Sequence, residues 1–459
     1  MIQTSQERLT GKEYVGYALG DTASCLFFWT FNIFLTYYYV DVWGLAAASV
    51  SLMMLAVRFV DAVTDPLMGL IADRTRTRWG KFRPYLLWMA VPYGICGYGI
   101  FALPDLATGL RLPYAYVSYT LMLIAYTAIN VPYNALLGVL SPSPGVRAVA
   151  SSFRFAGASA GGLLVSLGVR PLVGWWGGSD EPLGFQRTML LFAVASVALF
   201  WISFWTTQEK VSPDDAQQQN VAHEITELVQ NRPWLILLLA ALFSTTFIVM
   251  RAASTLFYFK YVVGDADSPA FLMLDKVTVF LASGMLCQVL GNLALSTVAS
   301  RLDKRMLSTS LTTVTALCFS SFFFLPPDQF GLQLVVNGVG MFCMGPTSAL
   351  VFAMYGDVAD FGEWKFHRRS TALVYSASLF SLKTGSMLAG ALVPLFLSAF
   401  GYVSDAEQSA QALLGITLAF SVVPGVFASL KAVALWLFPL DNTQIAQMTS
   451  ELRARRQAS

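Results

Sequence analysis

Charge is scarce in this sequence. Of 459 residues, 12% are charged and 56% are hydrophobic. A soluble domain carries roughly twice that share of charge, so too little polar surface is present to clothe a water-soluble body. A soluble enzyme, a disordered regulator and a nucleic-acid binder are disfavoured. The chain reads as an all-α integral membrane protein. Histidine is nearly missing too: His223 and His367, both in polar loops, leave little scope for imidazole metal chemistry. The five cysteines, Cys25, Cys96, Cys287, Cys318 and Cys343, stand in apolar stretches without CxxC or metal-ligand spacing and read as small core residues. A net charge of +2 names no partner. Residues 1–12 are polar and lack the basic-then-apolar pattern of a signal peptide, so the first apolar segment is expected to be its own insertion signal.

What is present is a series of apolar segments, each near the length of about 20 residues that a membrane span needs. They lie near 14–39, 46–72, 84–104, 113–140, 148–174, 187–206, 234–258, 270–299, 306–326, 331–356, 371–400 and 410–438. Twelve transmembrane helices in two six-helix halves are expected: 1–206, then a polar linker 207–233, then 234–440, with a tail 441–459. Lys and Arg gather between segments two and three (Arg74, Arg76, Arg78, Lys81, Arg83), eight and nine (Arg301, Lys304, Arg305), ten and eleven (Lys365, Arg368, Arg369) and in the tail (Arg453, Arg455, Arg456). The alternate loops hold acids, among them Asp41, Asp105, Asp180, Glu181, Asp265, Asp267, Asp328, Asp405 and Glu407. This bias predicts both termini in the cytoplasm. The linker is Gln-rich and acidic and reads as a solvated connector, with a short surface helix over Val221–Gln230. A weak internal repeat relates Arg154-FAGASAGG to Lys383-TGSMLAG, matching Gly157 and Gly161 with Gly385 and Ala389. Small residues at this spacing let helices approach closely.

Ionisable residues inside apolar segments are costly, about 2.5–3.5 kcal/mol each at a helix centre, and mark paired or functional positions. Arg58, Asp61 and Asp65 follow i, i+3, i+7 spacing on one helix face. Two carboxylates against one arginine leave a spare negative charge, which suits a hard cation or a proton. Lys383 is a candidate counter-charge. Arg251 and Lys276 lie nearer segment ends and are expected to snorkel to the interface; Lys431 is read in the same way. Tyr126, Thr127, Asn130 and Asn134 recur at helical spacing around Pro132, a polar stripe suited to a neutral hydroxylated solute. Tyr17, Asp21, Thr22, Ser24 and Asn32 add polar groups in the first segment. Asp21 fits a cation-linked, sugar-linked or structural role equally. The Tyr37–Tyr39 run reads first as an interfacial aromatic belt.

These residues resemble the glycoside–pentoside–hexuronide:cation symporters of the major facilitator superfamily, the family of the melibiose carrier. The stretches that carry the likeness are YYYVDVWGL, RFVDAVTDPLMGLIADRTRTRWGKFRPYLLW, NVPYNALL, Arg147 with SSFRFAG, DVADFGEWKFHRR, YSASLFSLKTG and FPLDNTQIAQMTSELRARR. The resemblance implies a twelve-helix fold, alternating access, and Asp61, Asp65 and Thr127 as cation-site positions. It places Arg58 and Lys383 in a charge network and Arg154 beside the sugar. Asn130 stands where the melibiose carrier has a sugar-binding aspartate, Asn134 where it has a tryptophan, Cys25 where it has another sugar-contacting aspartate, and Ser24 where it has a lysine; these departures point away from a galactoside. Gly69, Asp73, Arg74, Arg78, Gly80 and Arg83 match the superfamily's loop signature and imply a cytoplasmic gate.

The expected function is a sugar or glycoside symporter driven by Na+, H+ or Li+, without an organic cofactor. It would be monomeric in a bacterial inner membrane, with Asp21, Cys25, Tyr126, Asn130, Asn134 and Arg154 toward the substrate. The alternatives are a cation-coupled lysolipid or amphipathic-solute transporter and a membrane glycosyl or acyl transferase. No loop offers a metal or catalytic motif for the last.

Overall fold

The structure is a computed structural model and describes residues 9–102, 107–141, 143–210, 230–264, 269–271, 274–296, 303–366, 371–404 and 406–458. The side chains of Arg58, Asp61, Asp73, Arg453, Arg455 and Arg456 lie outside the described residues. So do the linker core, with the helix expected over Val221–Gln230, and the loop residues Asp105, His223, Asp265, Asp267, Arg301, His367, Arg368, Arg369 and Asp405.

Helices dominate because an apolar chain in lipid must satisfy its backbone internally. In chain order they are α1 (Gly11–Thr30), α2 (Ala47–Arg74), α3 (Arg83–Trp88), α4 (Ala90–Phe101), α5 (Thr108–Val139), α6 (Pro144–Gly177), α7 (Glu181–Thr206), α8 (Arg232–Phe257), α9 (Lys276–Ser296), α10 (Lys304–Ser321), α11 (Phe330–Phe366), α12 (Thr371–Ala399), α13 (Ala410–Phe420), α14 (Val422–Trp436) and α15 (Asn442–Ala458). Each expected apolar segment falls on one of these or on a consecutive pair. Among the described residues, nine helical stretches are long and apolar enough to cross a membrane. Polar side chains mark several helix starts. Thr10 forms a capping box with Glu13, and Asp180, Asn231, Asp303 and Ser409 each accept a backbone N–H of the first turn. Past α1 and α8 the chain loosens into π turns, Phe31–Leu35, Tyr38–Val42 and Tyr258–Val263.

The chain divides into two compact units. The first comprises Met1–Ala216 with Pro269–Val279, the second Gln217–Ser268 with Phe280–Ser459. In the first, α1 packs on α6 and α7, α4 on α5 and α7, and α2 on α5. In the second, α8 packs on α12 and α14, and α10 on α11 and α14. The first unit also holds a hairpin, β1 (Pro269–Phe271) antiparallel to β2 (Leu274–Asp275), where the hydropathy pattern predicts the start of a helix.

The two units repeat one contact. Thr22 Oγ1 donates to Ala18 O at 3.2 Å and to Gly157 O at 2.9 Å; Thr246 Oγ1 donates to Leu242 O at 2.8 Å and to Gly385 O at 3.3 Å. Each glycine gives up its Cβ to the facing helix, because the space is filled by the Ala18 or Leu242 carbonyl oxygen.

Tyr37, Tyr38 and Tyr39 do not form an interfacial belt: all three are buried. Tyr38 packs on Phe101 at 4.6 Å and on Phe185 at 5.5 Å, and donates to Phe101 O. The run passes into the π turn Tyr38–Val42, and the three rings lie in the first unit's core. Asp41, expected in an open loop, is buried in the same turn.

Candidate functional site

Helix pairing in the first unit gathers much of the predicted site. The α2–α5 contact brings Asp65 to Thr127, whose Oγ1 donates to Asp65 Oδ1 at 2.9 Å. Thr127 is buried and Asp65 half-buried. The helix positions of Arg58 and Asp61 precede Asp65 on α2.

Three residues beyond Thr127, Asn130 uses both ends of its amide. Its Oδ1 accepts from Ser24 Oγ at 2.7 Å, and its Nδ2 donates to Tyr126 O at 3.1 Å. The serine is fixed in turn by Tyr93, whose hydroxyl donates to Ser24 O at 3.1 Å. Pro132 inside α5 removes one backbone donor just past Asn130, in the stretch where the polar stripe lies. Asn134 is exposed and lies one helical turn beyond Asn130 on α5.

On the α1–α6 face, Arg154 Nε lies 3.4 Å from Asp21 Oδ2. The Arg154 guanidinium sits over the Tyr133 ring at 5.5 Å, and that ring stacks on Tyr17 at 4.8 Å. The Tyr133 hydroxyl donates to Tyr17 O. Cys25 lies opposite Gly161, where an added Cβ would meet the Cys25 Cβ at 2.8 Å. The first unit thus combines an ion pair, an amide–hydroxyl pair and stacked tyrosines. Such a set holds the charged, amide and hydroxyl groups that bond sugar hydroxyls, while the two tyrosine rings are buried against each other. Lys383 is half-buried on α12 in the second unit.

The loop signature forms a tight turn after α2. Gly80 has φ +109°, a conformation that favours glycine, and Thr77 pairs with it. The Glu209 carboxylate occupies the space a Gly80 Cβ would fill. It accepts from three successive backbone N–H groups, Lys81 at 2.9 Å, Phe82 at 2.7 Å and Arg83 at 2.9 Å. Arg83 donates to Phe204 O at 2.8 Å and lies over the Phe204 ring. Arg74 and Arg78 are exposed, with Arg78 over Trp79, and a Cβ at Gly69 would meet nothing within 4 Å.

The sequence pattern misplaces three features. Residues 207–210 are not a solvated connector: beside Glu209, Lys210 pairs with Glu13 at 2.8 Å and donates its N–H to Val139 O. Arg251 and Lys431 do not snorkel. Both are buried in the second unit's core, Arg251 at 5% and Lys431 at 1% exposure. Arg170 on α6, not singled out by spacing, pairs with Asp275 at 2.9 Å and with Glu181 at 3.4 Å. A hint of the Glu209 site exists in the sequence: Gly80 followed by three donors before Pro84 forms a nest for an anion, though nothing local says which acid fills it.

With this geometry in place, likeness to known proteins is informative. The family described as MFS/sugar transport protein matches residues 16–442. Escherichia coli YagG, provisionally named a glycoside/cation symporter, is 36% identical, covering 98% of this chain and 96% of its own. The inner membrane symporter YicJ of Escherichia coli is 33% identical over 93% and 91%. The isoprimeverose transporter of Lactiplantibacillus pentosus is 32% identical over 94% and 89%. Among solved structures, a proton-dependent oligopeptide transporter aligns with TM-score 0.67 at 13% identity, over 96% of this chain and 100% of that one. A D-xylose–proton symporter aligns with TM-score 0.60 at 13% identity, over 94% and 97%. At that identity the structures speak for the fold alone, and the fold is that of the major facilitators. The chain is a multi-pass membrane protein and belongs to the MFS/sugar transport protein family, among the glycoside–pentoside–hexuronide:cation symporters.

Proposed function

We propose that this protein is a cation-coupled symporter for a sugar or glycoside, working by alternating access as a monomer in a bacterial inner membrane, with both termini cytoplasmic. The observation that carries the reading is the layout of α5. Thr127 touches the Asp65 carboxylate, and Asn130, three residues on, holds the Ser24 hydroxyl. Residues three apart on a helix are neighbours on one face, so one rigid element joins a carboxylate site to a sugar-type site.

Thr127 now spends its proton on Asp65. A sodium or lithium ion seated against Asp65 would take a hydroxyl lone pair instead, because hard cations want oxygen ligands. A proton would bind the carboxylate itself. Asp61 is the second carboxylate of this site, with Arg58 as its counter-charge. Either ion alters the α2–α5 contact and so the setting of Asn130. Reciprocity then requires that sugar bound near Asn130, Asp21 and Arg154 tighten cation binding by the same factor. Cys25, Tyr126 and Asn134 complete the lining in this reading. Gly69, Asp73, Arg74, Arg78 and Arg83 serve the cytoplasmic gate.

The test is uptake into proteoliposomes of a panel of xylosides, glucosides and uronides under an imposed Na+, Li+ or H+ gradient. Asp65→Asn combined with Asp61→Asn is expected to abolish uphill accumulation while leaving downhill exchange measurable. Full accumulation by the double variant under every gradient overturns the cation site. A thermal shift with lysolipid but with no member of the panel overturns the sugar reading.

A further inference from the structure

The second unit buries two cations with no carboxylate at either among the described residues, and it builds their surroundings in opposite ways. Arg251 faces groups that only accept: Phe420 O at 3.1 Å and Asn337 Oδ1 at 3.2 Å. Ring faces close the cage, with Phe319 at 4.1 Å, Phe420 at 4.2 Å and Phe322 at 4.5 Å. Carbonyl oxygens and aromatic faces favour a fixed positive charge. A guanidinium keeps that charge throughout the accessible pH range.

Lys431 on α14 is surrounded differently. Its Nζ lies 3.0 Å from Ser244 Oγ and 3.0 Å from Thr347 Oγ1, over the Phe247 ring at 5.7 Å. A hydroxyl both donates and accepts. Thr347 commits its own proton to Met344 O at 2.7 Å, so toward the amine it accepts. Ser244 has no other hydrogen-bond partner among the described residues, so its proton is uncommitted. Facing an ammonium, Ser244 accepts. Facing a neutral amine, it turns its proton into the nitrogen lone pair while Thr347 still accepts an N–H. The same heavy-atom positions therefore satisfy both protonation states, as those around Arg251 do not.

The helices packed on α14 leave this balance undisturbed. The side chains at the amine come from α8, Ser244 and Phe247, and from α11, Thr347. Arg251 of α8 is in its cage with Cys318 of α10 beside it; on α11, Tyr355 donates to Leu237 O, and Asp357 holds Lys304 at 2.8 Å. The α13 sequence has no ionisable side chain. No charged group among the described residues acts on Lys431. A metal cation would be repelled by the ammonium and would find no oxygen cage. An anion would have to displace a hydroxyl already at bonding distance. A proton needs neither.

We propose that Lys431, with Ser244 and Thr347, is a proton-binding site in the core of the second unit, built from residues other than the α2 carboxylates. Protonated, the amine ties α14 to both α8 and α11 and faces a ring. Neutral, it keeps both hydroxyl partners, taking the Ser244 proton into its lone pair, and no longer carries a buried charge.

The test measures thermal melting of the full-length protein in detergent micelles against pH, for wild type, Lys431→Met, Lys431→Arg and Asp65→Asn. Methionine is unbranched, apolar and adaptable, so it fills the space without charge. A neutral amine is cheaper to bury than an ammonium. Wild type should therefore gain on Lys431→Met by about 2–4 °C as pH rises from about 6 to about 9. The offset between Lys431→Arg and Lys431→Met should stay constant, and Asp65→Asn should keep the wild-type trend. A constant offset between wild type and Lys431→Met, or an arginine variant that follows the wild-type curve, overturns the proposal. Should the methionine variant not fold, wild type against Lys431→Arg reads the same change. No sugar enters the measurement, so its outcome is independent of whether the symport reading stands.

Discussion

Arg170 Nε on α6 and Asp275 Oδ2 on β2 lie 2.9 Å apart, joined within one compact unit although 105 positions separate them in the chain. Arg170 also reaches Glu181 at 3.4 Å, and Tyr37 donates to that same carboxylate at 3.2 Å. Asp275 has a second task, accepting the Thr278 N–H at the start of α9. The side chains of Arg170 and Asp275 are 12% and 16% exposed, so the pair is poorly screened. Charge-assisted bonds of this kind contribute about 1.5–3 kcal/mol. Asp275→Ala should therefore raise hydrogen exchange over the hairpin and the first turn of α9 by roughly 10-fold or more. Asp275→Asn, which keeps the helix cap but not the charge, should give a smaller rise confined to the hairpin. Equal exchange in all three proteins would show that Arg170 does not hold the hairpin.

Glu209 is the second case of an acid fixed by backbone. Three N–H groups in succession, Lys81 to Arg83, point at one carboxylate, and Gly80 supplies the room. Glu209→Ala removes every acceptor at once and leaves those donors to water. Glu209→Gln keeps one oxygen and adds an amide donor facing donors. Both variants should lose protection of the Lys81, Phe82 and Arg83 amides and slow uptake, with a local cost of about 1.5–3 kcal/mol. Lys210→Ala breaks the Glu13 ion pair at 2.8 Å and should leave the three amides protected. Persistent protection in Glu209→Ala would show that the turn closes without its anion.

The contrast between Asp65 and Lys431 shows what a single sequence exposes. Apolar length locates a helix, and polar spacing along it locates a face. Thus Asp65 and Thr127 each lie on the polar stripe of their own helix; that the two meet across α2 and α5 is implied by the family resemblance, not by spacing. The Gly157 and Gly385 repeat is visible for the same reason, since close packing demands a missing side chain at a fixed place. Lys431 lies five residues before Trp436 at the end of α14, a position from which a long side chain could reach water. Its rotation about the helix axis aims it at Ser244 and Thr347 instead. Rotation depends on which helices stand alongside, and spacing within one helix does not contain that. Tyr37–Tyr39 fail for a related reason: the run passes into a π turn, and no residue type in it announces that. The hairpin at Pro269–Asp275 escaped because its strands are shorter than any hydropathy period can resolve.

Glycine contacts separate packing from gating. At Gly157 and Gly385 the position of an added Cβ is already taken by a backbone oxygen, Ala18 O or Leu242 O, which no rotamer change can clear. Gly157→Ala and Gly385→Ala should each push a helix pair apart and cost about 1–3 kcal/mol, read as a lower melting temperature in detergent. The Thr22 and Thr246 hydroxyls would lose their inter-helix acceptors in the same step. Gly69 is the opposite case: it lies inside α2 and a Cβ there meets nothing within 4 Å. Gly69→Ala should leave the melting temperature unchanged or raise it slightly, since alanine favours a helix interior over glycine by about 1 kcal/mol. If Gly69 serves the proposed gate, the same variant should nonetheless lose most uptake, because the glycine would be needed in a conformation where another element closes on it. Wild-type uptake by a stable Gly69→Ala protein would remove Gly69 from the gate and leave Gly80, held by Glu209, as the glycine on which that loop depends.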